Sequence, residues 1–452
     1  MENAEKYLSV IDEKKELIDR CSDYVFDHPE LCFEEFKSAE YIKNFLKSEG
    51  FAVEENLAGL ETAFSGRFGS GKPVIGLLGE FDALSGLSQE SGCTEKQPVE
   101  GCYDGHGCGH NLLGAGTVGA AMAMKKYLEE TKKSGTVICY GCPAEEGGSG
   151  KTIMARDGVF DELDVAVAWH PGTTNNVINR TLLANKMVRY SYEGKAAHAA
   201  GEPYNGRSAL DAVELLNIGV QFLREHMPRT ASVHYAITDT GGVSPNVVQP
   251  HAEVVYLVRG KDNDEVRDLS ARVDKIAEGA ALMTETELTS TFEKACSNPI
   301  CNQTLQLIAQ EVMERFEPPV PTEEDKEFIR KLLYKEKGEA DERYEEPFNY
   351  PLRPYAKFAR AHASSDVGDV SWICPTVRFN TCTWGKGTGA HDWLTVAQGK
   401  TRYAKESMRF AAKLMAALSM EIYDDPSVLK EAMEEHKKSV GDGYVCPYPK
   451  SK

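Results

Sequence analysis

Two histidines and a cysteine fall within five positions of the glycine-rich segment DGHGCGHNLLGAG, which covers residues 104–116. Imidazole nitrogens and thiolate sulfur are ligands that suit transition metals such as zinc. The glycines between them allow sharp backbone turns and a close approach to a bound group. The segment therefore has the composition of a metal-binding loop at the start of a helix, although a glycine-rich turn that only caps a helix has the same composition.

Further side chains suited to metal chemistry follow predicted strands or lie in a second glycine-rich turn. Glu145 and Glu146 follow an apolar run at residues 135–141, and His170 follows another at residues 163–169. A further histidine lies in the sequence GKGTGAHDW. The candidate metal ligands from both regions are Cys108, His110, Glu146, His170 and His391.

Five such donors can hold two divalent ions and leave coordination positions open for water. An open position is typical of catalytic zinc sites, because structural sites are closed by four protein ligands. Glu145, beside the ligand Glu146, then serves as general base for a metal-activated water. Taken singly, His170 is more typical of a buried core histidine, and the two glutamates are more typical of an exposed turn. Their joint position at one sheet edge favours a hydrolytic metal site.

The predicted elements explain why these residues meet. Apolar runs at residues 73–79, 135–141 and 163–169 are typical of buried parallel strands, and residues 112–127 of a helix packed against them. Ligands bind at the carboxyl edge of such open α/β sheets. We therefore predict an α/β catalytic domain with its site at that edge.

The pattern changes between residues 184 and 297. Strands and helices there follow the order β-α-β-β-α-β, which is typical of a ferredoxin-like α+β unit. The strands are predicted at residues 187–193, 232–238, 252–259 and 287–292, and the helices at residues 207–226 and 263–283. Residues 184–297 are therefore predicted to form a lid or dimerisation domain, inserted between two parts of the catalytic domain at residues 1–183 and 298–452.

Three further stretches complete the expected architecture. Apolar residues at helical spacing predict an opening helix at residues 5–26 and a C-terminal helix at about 394–420. A last strand is predicted at residues 376–383, directly before the loop that carries His391. The charged, proline-bearing stretch at residues 317–355 is predicted to be exposed loop with some helix.

Composition restricts the class of protein. The chain has 452 residues, a formal net charge of −19 and 41% hydrophobic residues, which suits an acidic globular protein and disfavours nucleic acid or anionic membrane partners. Residues 1–20 carry charges throughout, and no stretch approaches the uncharged run of about 20 residues that spans a bilayer. The twelve cysteines lack disulfide-framework spacing, which is typical of reduced thiols. A cytoplasmic location is expected.

A series of short motifs resembles the M20 metallopeptidase family, and within it the aminobenzoyl-glutamate hydrolase-like members of the amidohydrolase branch. The resemblance is collinear over nearly the whole chain. It implies a zinc-peptidase-like α/β catalytic domain with two metal ions and an inserted domain that dimerises. The mixed sulfur, nitrogen and oxygen donors favour Mn or Zn as these ions. The motifs are HPE (28–30), EFDAL (80–84), GHGCGHN (105–111), PAEEGG (143–148), WHP (169–171), GKAAHAA (194–200), PNVV (245–248) and GTGAH (387–391).

The resemblance also implies roles for individual residues. It assigns the five candidate ligands to metal, Glu145 to the general base and Asp82 to orienting a ligand or the base. The wider family often has a metal-binding histidine two residues before this aspartate, where this chain has Glu80, so a contact between Glu80 and metal stays open. In the inserted domain, the positions matching groups that bind the substrate carboxylate or the oxyanion are His198, Asn246 and Arg259.

The expected function is metal-dependent hydrolysis of the amide bond in a small N-acyl amino acid such as aminobenzoyl-glutamate, by a homodimer. A dipeptidase or aminoacylase of the same family would use the same site. A non-catalytic metal-binding interaction module is a further alternative, but none of the required residues is missing. The combined zinc-deaminase pattern, H-x-E together with P-C-x-x-C, is absent, because the sequence contains no P-C-x-x-C.

Overall fold

The computed structural model describes residues 2–337, 345–356 and 363–449. The chain forms two compact units: the first comprises residues 1–180, 300–359 and 369–444, and the second comprises residues 181–299, 360–368 and 445–452. The domain boundaries predicted from the sequence, after residues 183 and 297, stay a prediction. Within the described ranges, no helix has the length and apolar character that crossing a bilayer requires.

Strands and helices alternate through most of the chain. The strands are β1 (Ala52–Glu55), β2 (Phe64–Ser70), β3 (Val74–Glu80), β4 (Gly135–Cys142), β5 (Val165–Gly172), β6 (Thr174–Val177), β7 (Ala184–Glu193), β8 (Ser232–Asp239), β9 (His251–Gly260), β10 (Glu287–Cys296), β11 (Asn349–Leu352) and β12 (Thr376–Cys382). The helices are α1 (Glu2–Glu13), α2 (Lys15–Asp27), α3 (Phe36–Ser48), α4 (His110–Thr131), α5 (Gly150–Arg156), α6 (Ala209–Arg224), α7 (Asn263–Thr284), α8 (Gln303–Glu314), α9 (Glu323–Lys337), α10 (Val367–Ile373), α11 (Trp393–Gln398), α12 (Arg402–Asp424) and α13 (Pro426–Val440).

The first unit is built on a mixed sheet with the strand order β1-β2-β4-β3-β5-β12-β6-β11. Its centre, β4-β3-β5-β12, is parallel, and β3 and β4 are buried along their whole length. Glu80 at the end of β3 pairs with Cys142 at the end of β4, and His170 on β5 pairs with Asn380 on β12. The carboxyl ends of these strands therefore meet at one edge, which confirms the predicted α/β class.

Helix α4 packs closely on this sheet because small residues, beginning at Gly114, follow its first turn. An ideal Cβ added to Gly114 would lie 2.9 Å from the carbonyl oxygen of Glu80. The indole Nε1 of Trp169 on β5 donates a hydrogen bond of 3.3 Å to the carbonyl of Leu113. The helix start that carries His110 is thus fixed against the ends of β3 and β5.

The second unit has the sheet order β10-β7-β9-β8, with α6 and α7 packed on it, and this is the predicted ferredoxin-like topology. Residues of β9 alternate between buried and partly exposed positions, so one face of the sheet meets the helices. Both helices begin at side-chain caps: Ser208 accepts a hydrogen bond from the backbone N–H of Asp211, and Asp262 accepts one from that of Glu265.

Several predicted elements differ from the observed ones. The opening helix is interrupted at Lys14, and the C-terminal helix is divided because Asp392 caps α11 and Thr401 caps α12 with their side chains. The stretch 317–355 contains some helix, as predicted, but it is less exposed than predicted, since α9 buries Ile329 and Leu333. Residues 338–344 of that stretch lie outside the described residues. Helices α3 and α13 were not predicted, because the helical spacing of their apolar residues was not recognised among the surrounding charged residues.

The close contact of α4 with the sheet can be tested by two glycine substitutions in helix interiors. Gly114→Ala is expected to lower the free energy of unfolding by about 1–3 kcal/mol, because the added methyl group meets backbone that cannot move aside. Gly279→Ala in α7 is expected to raise it by up to about 1 kcal/mol, since alanine is the better helix former and nothing lies within 4 Å of the added group. Denaturant unfolding measures both changes, and equal effects would contradict the close packing.

Candidate metal centre

Strand ends and two glycine-rich loops bring the predicted ligands of the first unit together. His110 is the first residue of α4, Cys108 lies two residues before it, and His170 lies on β5. Glu146 lies in the turn that follows β4. The loop between β12 and α11 docks on the cysteine loop, because the backbone N–H of His391 donates a 3.0 Å hydrogen bond to the carbonyl of Gly107.

The donor atoms form overlapping groups. Cys108 Sγ lies 3.4 Å from His170 Nε2, and His391 Nε2 lies 3.2 Å from Glu146 Oε2. His110 Nε2 is 3.9 Å from Glu146 Oε1. Three sets have their donor atoms within 4.8 Å of one another: Cys108, His110 and His170; Cys108, Glu146 and His391; and Glu80, His110 and Glu145.

In both His110 and His170, a hydrogen bond occupies Nδ1 and leaves Nε2 facing the centre. His110 Nδ1 is 2.8 Å from Asp82 Oδ1, and His170 Nδ1 is 2.7 Å from the carbonyl oxygen of Pro171. Because both partners accept, the neutral form of each ring carries its proton on Nδ1 and keeps a lone pair on Nε2. The other oxygen of Asp82 accepts a 2.9 Å hydrogen bond from the backbone N–H of Glu146.

These residues fit divalent metal ions. His110 Nε2 is fully buried and makes no hydrogen bond of good geometry in the described part of the chain. A buried nitrogen with an unused lone pair is costly unless a ligand occupies it. Mixed sulfur, nitrogen and carboxylate donors also suit borderline transition metals.

Comparison with known proteins supports this assignment. The model of Peptidase family M20/M25/M40 matches residues 76–331. The chain is 44% identical to one subunit of the p-aminobenzoyl-glutamate hydrolase of Escherichia coli over 95% of this chain and 94% of that protein. The chain belongs to the M20 peptidase family. It is therefore a metal-dependent hydrolase that acts on C–N bonds, and the resemblance inferred from the motifs is confirmed.

Three further matches have lower sequence identity. The Xaa-Arg dipeptidase of Mus musculus is 33% identical over 61% of this chain and 62% of that protein. An aminobenzoyl-glutamate utilization protein from Klebsiella pneumoniae matches with a TM-score of 0.60 and 18% identity over 89% of this chain and 97% of that one. A dinuclear metal binding peptidase of the family from Bacillus subtilis gives a TM-score of 0.59 and 18% identity over 91% and 99%. At 18% identity, these two structures show that the fold is shared and no more.

Two buried residues near the candidate metal centre, Lys151 and Glu35, were not identified from the sequence. Lys151 on α5 has a fully buried side chain, and its Nζ lies 2.7 Å from Glu80 Oε1. The other oxygen of Glu80 lies 3.3 Å from His110 Nε2. No sequence pattern identifies a buried lysine, because lysine side chains are nearly always exposed. Glu35 was overlooked because the HPE motif stops short of it.

The glycine-rich loop also contains a histidine with a different environment. His106 is buried, and its Nε2 donates a 2.9 Å hydrogen bond to the carbonyl of Val25 at the end of α2. Burial lowers its pKa to about 3, so the ring stays neutral. It is absent from the three donor groups, which agrees with a ligand set that leaves it out.

Electrostatics within the site follow from burial and close charges. Burial alone would lower the pKa of His110, but Cys108 and Asp82 raise it well above its usual value. Burial opposes ionisation of Glu146, yet a hydrogen bond from His391 and the charge of His110 bring its pKa to about 2. Burial raises the pKa of the Cys108 thiol, and Glu146 adds to the increase. A divalent cation at the sulfur is what favours its thiolate form.

The three candidate residues of the second unit do not lie together. The backbone N–H of Ala199 donates to the carbonyl of Asn246, so His198 and Asn246 occupy adjoining segments, and both are exposed. Arg259 lies near the other end of β9, where its Nη1 donates a 2.8 Å hydrogen bond to Ser364 Oγ. It lies eight positions along the extended strand from His251 at the near end, a distance on the order of 25 Å.

Proposed function

We propose that this chain hydrolyses the amide bond of a small N-acyl amino acid, of the aminobenzoyl-glutamate type, at a centre that holds two divalent metal ions. The observation that carries the proposal is the convergence of Cys108, His110, Glu146, His170 and His391 beside a second carboxylate, Glu145. Support for the substrate class comes from two p-aminobenzoyl-glutamate hydrolase subunits of Escherichia coli, at 44% and 27% identity.

The donor groups indicate how the ligands divide. We assign one ion to Cys108, His110 and His170, and the other to Cys108, Glu146 and His391. Cys108 belongs to both groups, so its sulfur is within reach of both positions. Mn and Zn are the metals proposed, because they accept mixed sulfur, imidazole and carboxylate ligands. Asp82 orients His110 and the turn of Glu146 through its two hydrogen bonds.

The proposed mechanism assigns the proton transfers to Glu145. The ions, when bound, supply Lewis-acid activation of a water molecule and of the substrate carbonyl. A carboxylate oxygen of Glu145 accepts the proton that the attacking water loses. It then gives this proton to the nitrogen of the leaving amine, so the base is regenerated in each cycle. A carboxylate beside a ligand and partly exposed is suited to this exchange with substrate.

His198, Asn246 and Arg259 are proposed to bind the substrate carboxylate and the developing oxyanion. His198 Nδ1 accepts hydrogen bonds from the backbone N–H groups of Ala200 and Gly201, at 3.2 and 2.9 Å. In the neutral ring, Nε2 therefore carries the proton and can donate to an anionic oxygen.

Their separation within the second unit has a consequence for assembly. Since His198 and Arg259 lie at opposite ends of one sheet, a single small substrate can contact both only if they come from different copies. We therefore propose a homodimer in which His198 acts on the partner's substrate. Exposed apolar side chains on α6 and on the edge strand β8, including Phe222 and Ile237, offer a surface for pairing. Because two of the relatives are named as different subunits of one hydrolase, a related second chain is the alternative partner.

The substrate class and the metal content can be tested on one preparation. Protein loaded with Mn or Zn is expected to hold about two ions per chain and to release the amine from N-acyl amino acids, because the donor set serves two ions. Elemental analysis measures the ions, and a panel of N-acyl amino acids and dipeptides measures hydrolysis. Preference for dipeptides would favour the dipeptidase alternative, which the Xaa-Arg dipeptidase relative supports. Full activity with one ion would contradict the two-metal assignment.

The adjacent glutamates allow a matched comparison. Glu145→Gln is expected to retain both ions and the fold but to lose at least ~10²-fold in kcat, the usual contribution of a general base. Glu146→Gln is expected to lose metal, since an amide is a weak ligand for such ions. The two variants differ by one position and by the same chemical change. Equal kcat in Glu145→Gln and wild type would remove Glu145 from the mechanism.

Action of His198 across a dimer can be tested by subunit exchange. Inactive Glu145→Gln chains are mixed with inactive His198→Ala chains, and hybrids are verified by native mass spectrometry. Each hybrid then contains one site with both groups intact, so an equal mixture is expected to recover about a quarter of wild-type activity by random pairing. Separate incubation of each variant provides the control. Hybrids without activity would show that His198 serves its own chain or has no catalytic role.

A further inference from the structure

The segment HPELCFEE at residues 28–35 has no place in the proposed mechanism, yet it contacts two of the loops that carry the site. The carbonyl of Glu30 accepts a 2.8 Å hydrogen bond from the backbone N–H of Ala83, just after β3. Farther along the segment, Glu35 reaches the turn after β4. The segment therefore connects the end of β3 with the turn that contains Glu145.

The Glu35 carboxylate is fully buried and accepts three hydrogen bonds. Its Oε1 accepts from the backbone N–H groups of Ala144 and Phe33, at 2.8 and 3.0 Å. Its Oε2 accepts from the hydroxyl of Thr62 at 2.9 Å. Burial and the charge of Asp82 raise its pKa to about 7. An acceptor oxygen for the Ala144 N–H is present whether or not the group is ionised.

The same segment also contacts the far end of this turn. An ideal Cβ on Gly148 would lie 2.2 Å from a ring carbon of Phe33 and 2.8 Å from the sulfur of Cys32, so the two side chains lie directly against the glycine backbone. The turn itself is closed by a 2.9 Å hydrogen bond from the N–H of Gly148 to the carbonyl of Ala144. Glu145 and Glu146 therefore lie between two points that residues 32–35 hold.

The backbone at the first of these points needs such support. Ala144 has a φ of +59°, a left-handed conformation that costs a residue with a Cβ about 1–2 kcal/mol. A strained residue persists only where its surroundings fix it. Glu35 binds the N–H of this residue, and the next residue in the chain is Glu145. Relaxation of Ala144 would rotate the following peptide and redirect the Glu145 side chain.

We infer that Glu35 is a positioning residue, which holds the Ala144–Gly148 turn so that the Glu145 carboxylate points at the reacting water and leaving amine. The inference rests on the proposed role of Glu145 as general base. Glu146 has separate anchors in its backbone hydrogen bond to Asp82 and its contact with His391, so loss of Glu35 acts chiefly on Glu145.

The test compares Glu35→Ala with Glu35→Gln. Removing the carboxylate leaves the Ala144 N–H without its acceptor, and we expect kcat to fall about 10–100-fold, since a displacement of about 1 Å can cost 10²-fold. The content of two metal ions and KM should stay near wild type. Glutamine retains an oxygen for Ala144, and its amide can donate to the Thr62 hydroxyl, so Glu35→Gln should recover most of the lost kcat.

Glu30→Ala is the matched control. The Glu30 carboxylate also binds backbone at the start of α3, accepting from the N–H groups of Lys37 and Ser38 at 3.0 and 2.9 Å, and neither hydrogen bond involves the turn. Its loss should lower the melting temperature without lowering kcat. If Glu30→Ala and Glu35→Ala reduce kcat equally, Glu35 is only a structural residue and the inference is wrong.

Two further variants separate this inference from the proposed mechanism. In a Glu145→Gln background, Glu35→Ala should cause no additional loss of kcat, because the group that it positions is gone. A folded Glu35→Ala protein with two ions and wild-type kcat overturns the inference, while an inactive Glu145→Gln still supports the mechanism. If Glu35→Ala does not fold, Glu35→Asp decides the question: its shorter side chain withdraws the acceptor, and wild-type kcat in that variant overturns the inference as well.

Discussion

The two hydrogen bonds of Asp82 are the interaction on which the arrangement of the site depends. One oxygen fixes the ring of His110 at the start of α4, and the other fixes the backbone of Glu146 in the turn after β4. Asp82 itself lies two residues after the end of β3 and is almost fully buried. A buried carboxylate must be hydrogen-bonded, so any movement of α4 or of the turn leaves one oxygen unsatisfied. The geometry of a ligand and of its neighbouring base is thereby linked to the packing of the central sheet.

The accumulated negative charge imposes a second constraint. Glu80, Asp82 and Glu146 lie close together in a largely buried region, where repulsion between like charges is strong. Lys151 offsets one of these charges from within the protein, since it pairs with Glu80 and is itself fully buried. Divalent cations offset the rest when they bind, so that occupation of the site and stability of the fold are coupled. Because the buried lysine offsets one carboxylate, less negative charge is left for the ions to balance.

The sequence was sufficient to predict the fold class and to select the residues that converge in the first unit. Apolar runs identified β3, β4 and β5, and parallel pairing requires that their carboxyl ends meet, so His170 and Glu146 were expected at one edge. The roles of these residues stay a prediction, and the geometry agrees with it. Periodicity reports which face of an element is buried but not which loops touch. For this reason the contacts of Lys151 and Glu35, made across segments distant in sequence, were not predicted.

The second unit shows the same limit, because the sequence does not reveal how far apart two of its candidate residues lie. The resemblance assigns His198 and Arg259 to substrate binding, and it leaves open whether His198 acts in its own chain or across a dimer. The register of β7 with β9 places them at opposite ends of one sheet, because Asn185 pairs with Arg259 and Glu193 pairs with His251. A rigid sheet cannot bring its two ends to one small molecule. If both positions are functional, each complete site must draw on two copies of the unit. In that case the second unit would serve both dimer assembly and substrate recognition, since neither end of the sheet suffices alone.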